Sequence, residues 1–159
     1  MLWLWPDPQF PAAPSLRAMT AMDFSARCAE ADRDNPDRTL RQGVLSEHPA
    51  ILVFTSGTTG LPKAAICSHM RWMMAGDVSQ AIMNTGENDV FYCFLPLYHG
   101  AAATSLGSTA LLSGGTIVIR RRFSVREFWN DVRRYRVTFC QYVGEIIRYL
   151  LNQPLRPDD

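Results

Sequence analysis

Apolar and polar positions fall in short blocks along most of this chain, and the period changes from block to block. Ile51-Leu52-Val53-Phe54 is a continuous apolar run, Thr55 to Gly60 is polar, and apolar residues resume after Lys63 as Ala64-Ala65-Ile66-Cys67. That order reads as strand, tight loop, strand, with the loop carrying the polarity. From residue 69 to 83 the period lengthens. Met70, Met73, Met74, Val78, Ala81 and Ile82 recur at helical spacing, which predicts a helix with a buried methionine stripe that stops before Gly86. Residues 90–95 predict a buried strand closed by Pro96. Residues 97–115 predict a small-residue helix with Ala110, Leu111 and Leu112 toward a sheet and Gly114-Gly115 as its stop. A strand follows over residues 116–119.

Ser124 and Glu127 have capping-box spacing. Behind them Val125, Phe128, Trp129, Val132 and Tyr135 make one helical stripe. Residues 137–143 then read as a strand, and residues 145–152 as a helix with Ile146, Ile147, Leu150 and Leu151 inward. Strands alternating with helices call for a doubly wound α/β sheet with its ligands at the carboxyl ends of the strands. Residues 1–35 lack a convincing period and read as irregular, apart from a short helix within 18–31. The turn at Asn35-Pro36-Asp37 divides them from an α/β region over 36–159.

Composition narrows the function classes. An apolar fraction of 47% and a charged fraction of 19% are ordinary for a globular domain. A net charge of +1 gives no overall pull toward nucleic acid, so none is expected as a partner. Cys28, Cys67, Cys93 and Cys140 form no C-x-x-C pair, and three of them lie in apolar runs, which favours a reducing compartment. No apolar run approaches the roughly 18 residues of a membrane span. The apolar start breaks at Pro6 and has no basic residues before it, unlike a signal peptide. His48, His69 and His99 are separated and lack the spacing of a zinc site. Arg120-Arg121-Arg122 reads as a solvated face, or as a weak attraction to anionic lipid of about 1 kcal/mol per residue.

The chemistry concentrates in the loop. Gly57 and Gly60 let backbone N–H groups approach an anion without an intervening Cβ; Thr55, Ser56, Thr58 and Thr59 add hydroxyls, and Lys63 adds a compact charge. This set suits phosphate oxygens. It is not a Walker-A loop: the glycines are three apart, Pro62 precedes Lys63, and a strand-like run follows. Instead, TSGTTGLPK resembles the signature of the adenylate-forming superfamily, which includes acyl-CoA synthetases, peptide-synthetase adenylation domains and luciferases. Leu95-Pro96-Leu97-Tyr98-His99 resembles that superfamily's L-P-x-[aromatic]-H segment. QYVGEIIRYLLNQP, with VIRRRFS and the following Phe128-Trp129, is similar to the fatty-acid transport protein branch of very-long-chain acyl-CoA synthetases.

The resemblance covers roughly residues 36–154 and implies part of the N-terminal adenylating domain of an α/β ligase. It implies a fatty acid, ATP and coenzyme A as substrates, with Mg²⁺. Thr55, Ser56, Gly57, Thr58, Thr59, Gly60 and Lys63 would bind nucleotide, with Thr55 on the metal side. Lys63 and His99 would be catalytic. Tyr98, His99, Tyr142, Gly144 and Glu145 would border the acyl pocket, although Glu145 reads equally well as a helix-start acid. A membrane-associated intracellular site is implied too: endoplasmic reticulum, peroxisome, lipid droplet or plasma membrane. The superfamily's downstream Tyr-Gly-x-Thr-Glu and Thr-Gly-Asp segments and its C-terminal lysine do not occur here, so a partial chain, inactive alone, is expected. The alternatives are a non-catalytic nucleotide-binding protein and a membrane-associated fatty-acid uptake protein.

Overall fold

The structure is a computed structural model that describes residues 2–4, 21–55 and 63–154, with side chains from residue 26 onward. The chain forms two compact units, Met1–Gly43 and Val44–Asp159. In the first, strand β1 (Leu2–Leu4) pairs in parallel with β2 (Ala21–Asp23), and helix α1 (Phe24–Glu30) follows. A 3₁₀ turn over Arg38–Arg41 is capped by Asp37, whose carboxylate accepts from the Thr39 N–H at 2.7 Å. The helix expected within 18–31 is thus a shorter one, preceded by a strand.

The second unit opens with an antiparallel hairpin of β3 (Pro49–Thr55) and β4 (Lys63–Ser68). Helix α2 (His69–Met83) runs directly out of β4; Ser68 caps it by accepting from the Arg71 N–H at 3.3 Å. Strand β5 (Val90–Cys93) leads into a π-helical segment, Ala101–Leu106, and helix α3 (Gly107–Ser113). Then come β6 (Thr116–Ile119), α4 (Val125–Tyr135), β7 (Phe139–Cys140) and α5 (Gly144–Leu151).

Three of these strands make a parallel sheet in the order β6-β5-β7. Successive β5 side chains point to opposite faces, so two cores form. Phe91 and Cys93 pack with Ala102, Leu106 and Ala110, and α2 lies against α3 on that side. Tyr92 and Phe94 pack with Phe128, Ile146 and Leu150 from α4 and α5 on the other. This is the expected sheet with helices on both faces.

The departures have identifiable causes. The methionine stripe of α2 is not core: Met70, Met73, Met74 and Val78 are about half exposed, and Ile82 is 78% exposed. The helix seats instead through Gly76, where an added Cβ would lie 2.8 Å from the Ser108 carbonyl carbon and 2.6 Å from Leu112 Cδ1. Close backbone approach at a glycine, rather than apolar area, selected the packed face. The helix spans the expected residues 69–83 and is closed by Asn84, which takes the left-handed conformation at φ 52°. Gly114 does close α3 as expected, at φ 72°. Leu111 and Leu151 point outward. The single helix expected over 97–115 is divided into the π segment and α3. Ser124 occupies the cap position of α4, but its side chain makes no capping bond; its carbonyl accepts from the Phe128 N–H at 3.0 Å. The strand expected over 137–143 shrinks to β7, an edge strand with one described neighbour.

Candidate functional site

The hairpin brings Thr55 and Lys63 opposite each other as its last register pair. Thr55 Oγ1 donates to the Lys63 carbonyl oxygen at 3.2 Å. With its proton committed to the backbone, the hydroxyl presents only lone pairs elsewhere, an acceptor suited to a hard cation. Ser56, Gly57, Thr58, Thr59 and Gly60 lie outside the described residues. Among the described residues no cluster of His, Cys, Asp or Glu side chains could hold a metal by itself. The 44–48 loop is pinned to the start of α2: His69 N–H donates to the His48 carbonyl at 3.1 Å and Met70 N–H to that of Ser46 at 2.7 Å.

The second group stands at the carboxyl edge of the parallel sheet. Pro96 to His99 follow β5, Arg120 follows β6, and Tyr142, Gly144 and Glu145 follow β7, so parallel topology gathers all three exits on one edge. Tyr98 and His99 are exposed. His99 is ordered by three bonds to the turn behind it. Its carbonyl accepts from the N–H groups of Ala102 and Ala103, both at 3.0 Å. Its Nδ1 accepts from the Ala101 N–H at 3.2 Å. In the neutral ring that bond leaves the proton on Nε2, so the outward nitrogen is a donor. Glu145 lies in the first turn of α5 and is ion-paired with Arg148. Tyr142 lines a cavity of about 670 Å³ whose apolar wall includes Phe128, Trp129, Val132, Ile147 and Leu150. No hydrogen bond joins the hairpin pair to His99 among the described residues; the two groups connect through α2 and the π segment.

Sequence reasoning missed a buried polar cluster beneath this edge. Tyr92 Oη donates to Asp131 Oδ2 at 2.5 Å, and the same carboxylate is ion-paired with Arg120. Arg120 therefore anchors the start of the arginine run to α4 instead of merely facing solvent. A signal was available: Asp131 stands three residues after Phe128, on the side of α4 that had to be buried. Burial, and then the Asp131 carboxylate, hold the Tyr92 phenol well above the ordinary tyrosine range. A folded-state pKa above the unfolded value of about 10 stabilises the fold below that pH and is lost as pH rises past it. The chain should accordingly lose stability above about pH 10, and Tyr92→Phe should flatten that loss. Urea denaturation at pH 8 and at pH 10.5 checks this; equal pH slopes for parent and variant would count against it. Burial also pushes the Cys93 and Cys140 thiols up, so neither is a ready thiolate at neutral pH.

The same arrangement of sheet, hairpin and helices occurs in adenylate-forming enzymes. The o-succinylbenzoate CoA synthetase of Bacillus subtilis, in complex with the acyl-adenylate intermediate, superposes with a TM-score of 0.73 at 24% identity, over 87% of this chain and 35% of that one. The same enzyme in complex with ATP and magnesium ion matches at 28% identity and a TM-score of 0.64, over 70% of this chain and 23% of that one. The AMP-binding enzyme family model matches residues 8–158, further toward the N-terminus than the motif resemblance over residues 36–154. The chain belongs to that family. The medium/long-chain-fatty-acid–CoA ligase FadD6 of Mycobacterium tuberculosis is 39% identical over 142 residues, 89% of this chain and 24% of the relative. Long-chain fatty acid transport protein 1 of Rattus norvegicus is 45% identical over 136 residues, 76% of this chain and 21% of the relative. The chain thus spans a quarter or less of the length of these curated relatives.

Proposed function

We propose that this chain supplies the phosphate loop and part of the acyl pocket of a fatty acyl-CoA ligase. The observation that carries the reading is the TSGTTGLPK loop at the mouth of the β3–β4 hairpin, with Thr55 and Lys63 at its two ends. In the reaction, a fatty carboxylate attacks the α-phosphorus of ATP, the bond to pyrophosphate breaks, and the thiol of coenzyme A then displaces AMP from the acyl-adenylate. Lys63 holds phosphate oxygens as charge builds on departing pyrophosphate, and Thr55 offers an oxygen to Mg²⁺. The metal, when bound, neutralises phosphate charge. His99 presents its Nε2 proton to the acyl carboxylate or the adenylate. Tyr142 borders the tail, beside an apolar cavity large enough for several methylenes. Gly144 and Glu145 follow it at the pocket's edge, and Tyr98 flanks the entrance.

The kinship with long-chain fatty acid transport protein 1 favours a second reading, fatty-acid uptake at a membrane surface. No helix among the described residues is long and apolar enough to cross a membrane. One experiment addresses the ligase reading. Residues 8–158 replace the matched segment of the Mycobacterium tuberculosis ligase, and the chimera is assayed for fatty-acid-dependent ATP–pyrophosphate exchange across acid chain lengths. Exchange with long-chain acids is expected. A folded chimera that binds ATP without exchange would leave nucleotide binding alone.

A further inference from the structure

We infer that Trp72 is a positioning residue for His99, acting through the π-helical segment that links them; the functional weight of this rests on the ligase reading, but the geometry does not. Three consecutive carbonyls in the segment take side-chain donors. Trp72 Nε1 on α2 donates to the Ala103 carbonyl at 2.9 Å. The Ser108 hydroxyl donates to that of Thr104, and the Thr109 hydroxyl to that of Ser105 at 2.7 Å. A π turn is wider than an α turn and is costly unless something holds it. Ser108 and Thr109 reach back from α3, which continues the segment without a break, whereas Trp72 comes from α2, 31 residues away in sequence.

The chain of bonds to the imidazole is short. The Ala103 peptide is held at its carbonyl by Trp72, and at its N–H by the His99 carbonyl. Ala102 N–H shares that carbonyl, and Ala101 N–H fixes His99 Nδ1. Removing the indole donor frees the first turn of the segment, and with it the N–H that selects the His99 tautomer. Because α2 follows β4 without a break, the tie also links the hairpin that carries Lys63 to the loop that carries His99. Trp72 lies outside the apolar stripe read along α2; its hydrogen bond to the Ala103 carbonyl gives it this task.

The test replaces Trp72 in the 159-residue chain with β-(3-benzothienyl)alanine, which keeps the ring shape and substitutes sulfur for the N–H. Trp72→Phe serves as a second variant. The readout is the ring-nitrogen spectrum of ¹⁵N-histidine-labelled protein at pH 8, without nucleotide. In the parent, His99 should show a single tautomer with the proton on Nε2. In both variants it should become a mixture of the two. His48 is the internal control, because its Nδ1 accepts from the Leu45 N–H at 3.2 Å and has no bond to the indole. A His99 spectrum unchanged by the sulfur analogue would overturn the proposal. So would equal changes at His99 and His48, which would make the indole a general stabiliser. The ligase reading is judged by the chimera alone, so failure of either is separately visible.

Discussion

Lys63→Ala should lower acyl-adenylate formation by the chimeric ligase roughly 10–100-fold while leaving fatty-acid binding nearly unchanged. A charge-assisted contact contributes about 1.5–3 kcal/mol. If much of it is realised only as pyrophosphate departs, the loss falls on kcat and not on KM. Lys63 is well placed for that role. It is the first residue of β4, its backbone carbonyl is held by Thr55 Oγ1, and among the described residues its side chain makes no ion pair. Lys63→Arg should restore only part of the rate, because a planar fork does not match a site fitted to a compact ammonium. ATP–pyrophosphate exchange at saturating acid checks both variants; full activity in Lys63→Ala would remove the lysine from the reaction.

Asp131→Ala should produce the largest loss of stability, about 3 kcal/mol. The carboxylate accepts from Tyr92 Oη and is ion-paired with Arg120. Its removal strands a phenol that is 1% exposed and a partly buried guanidinium together. For a chain of this size that corresponds to a fall in Tm of roughly 6–12 °C. Asp131→Asn keeps an acceptor for the phenol but loses the charge, and should cost about half as much. Calorimetric unfolding at pH 7 measures both. A shift below about 2 °C for Asp131→Ala would mean that water replaces the carboxylate at little cost.

The parts of this fold that were legible in the sequence are those written in local pattern. The hairpin, α2, β6 and the stop at Gly114 follow from apolar runs and glycine placement, and the structure gives α2 and β6 the expected bounds. What was not legible depends on partners distant in sequence. The period of α2 is real, but Gly76 and the backbone of Ser108 decided which face is buried. The 97–115 stretch reads as uniform small residues, and nothing local announces a π segment whose carbonyls are held by Trp72, Ser108 and Thr109. Ser124 was legible as a helix start, but its side-chain bond was not formed. For the site, parallel strand order puts Tyr98, His99, Tyr142, Gly144 and Glu145 on one sheet edge, and only the Leu95–His99 segment was legible as a strand exit from the residues themselves. The Asp131 cluster beneath them escaped because an acid set among the arginines of α4 passes for surface charge.

The most direct measurement of the phosphate loop's role is single-turnover acyl-adenylate formation by the chimera, parent against Lys63→Ala, at saturating fatty acid and Mg·ATP. Mixing enzyme in excess over labelled ATP and quenching on the millisecond scale isolates the step in which pyrophosphate leaves. A rate constant reduced at least tenfold, with fatty-acid binding unchanged, is expected if the loop handles the leaving group. Adenylation by Lys63→Ala at the parent rate would contradict it.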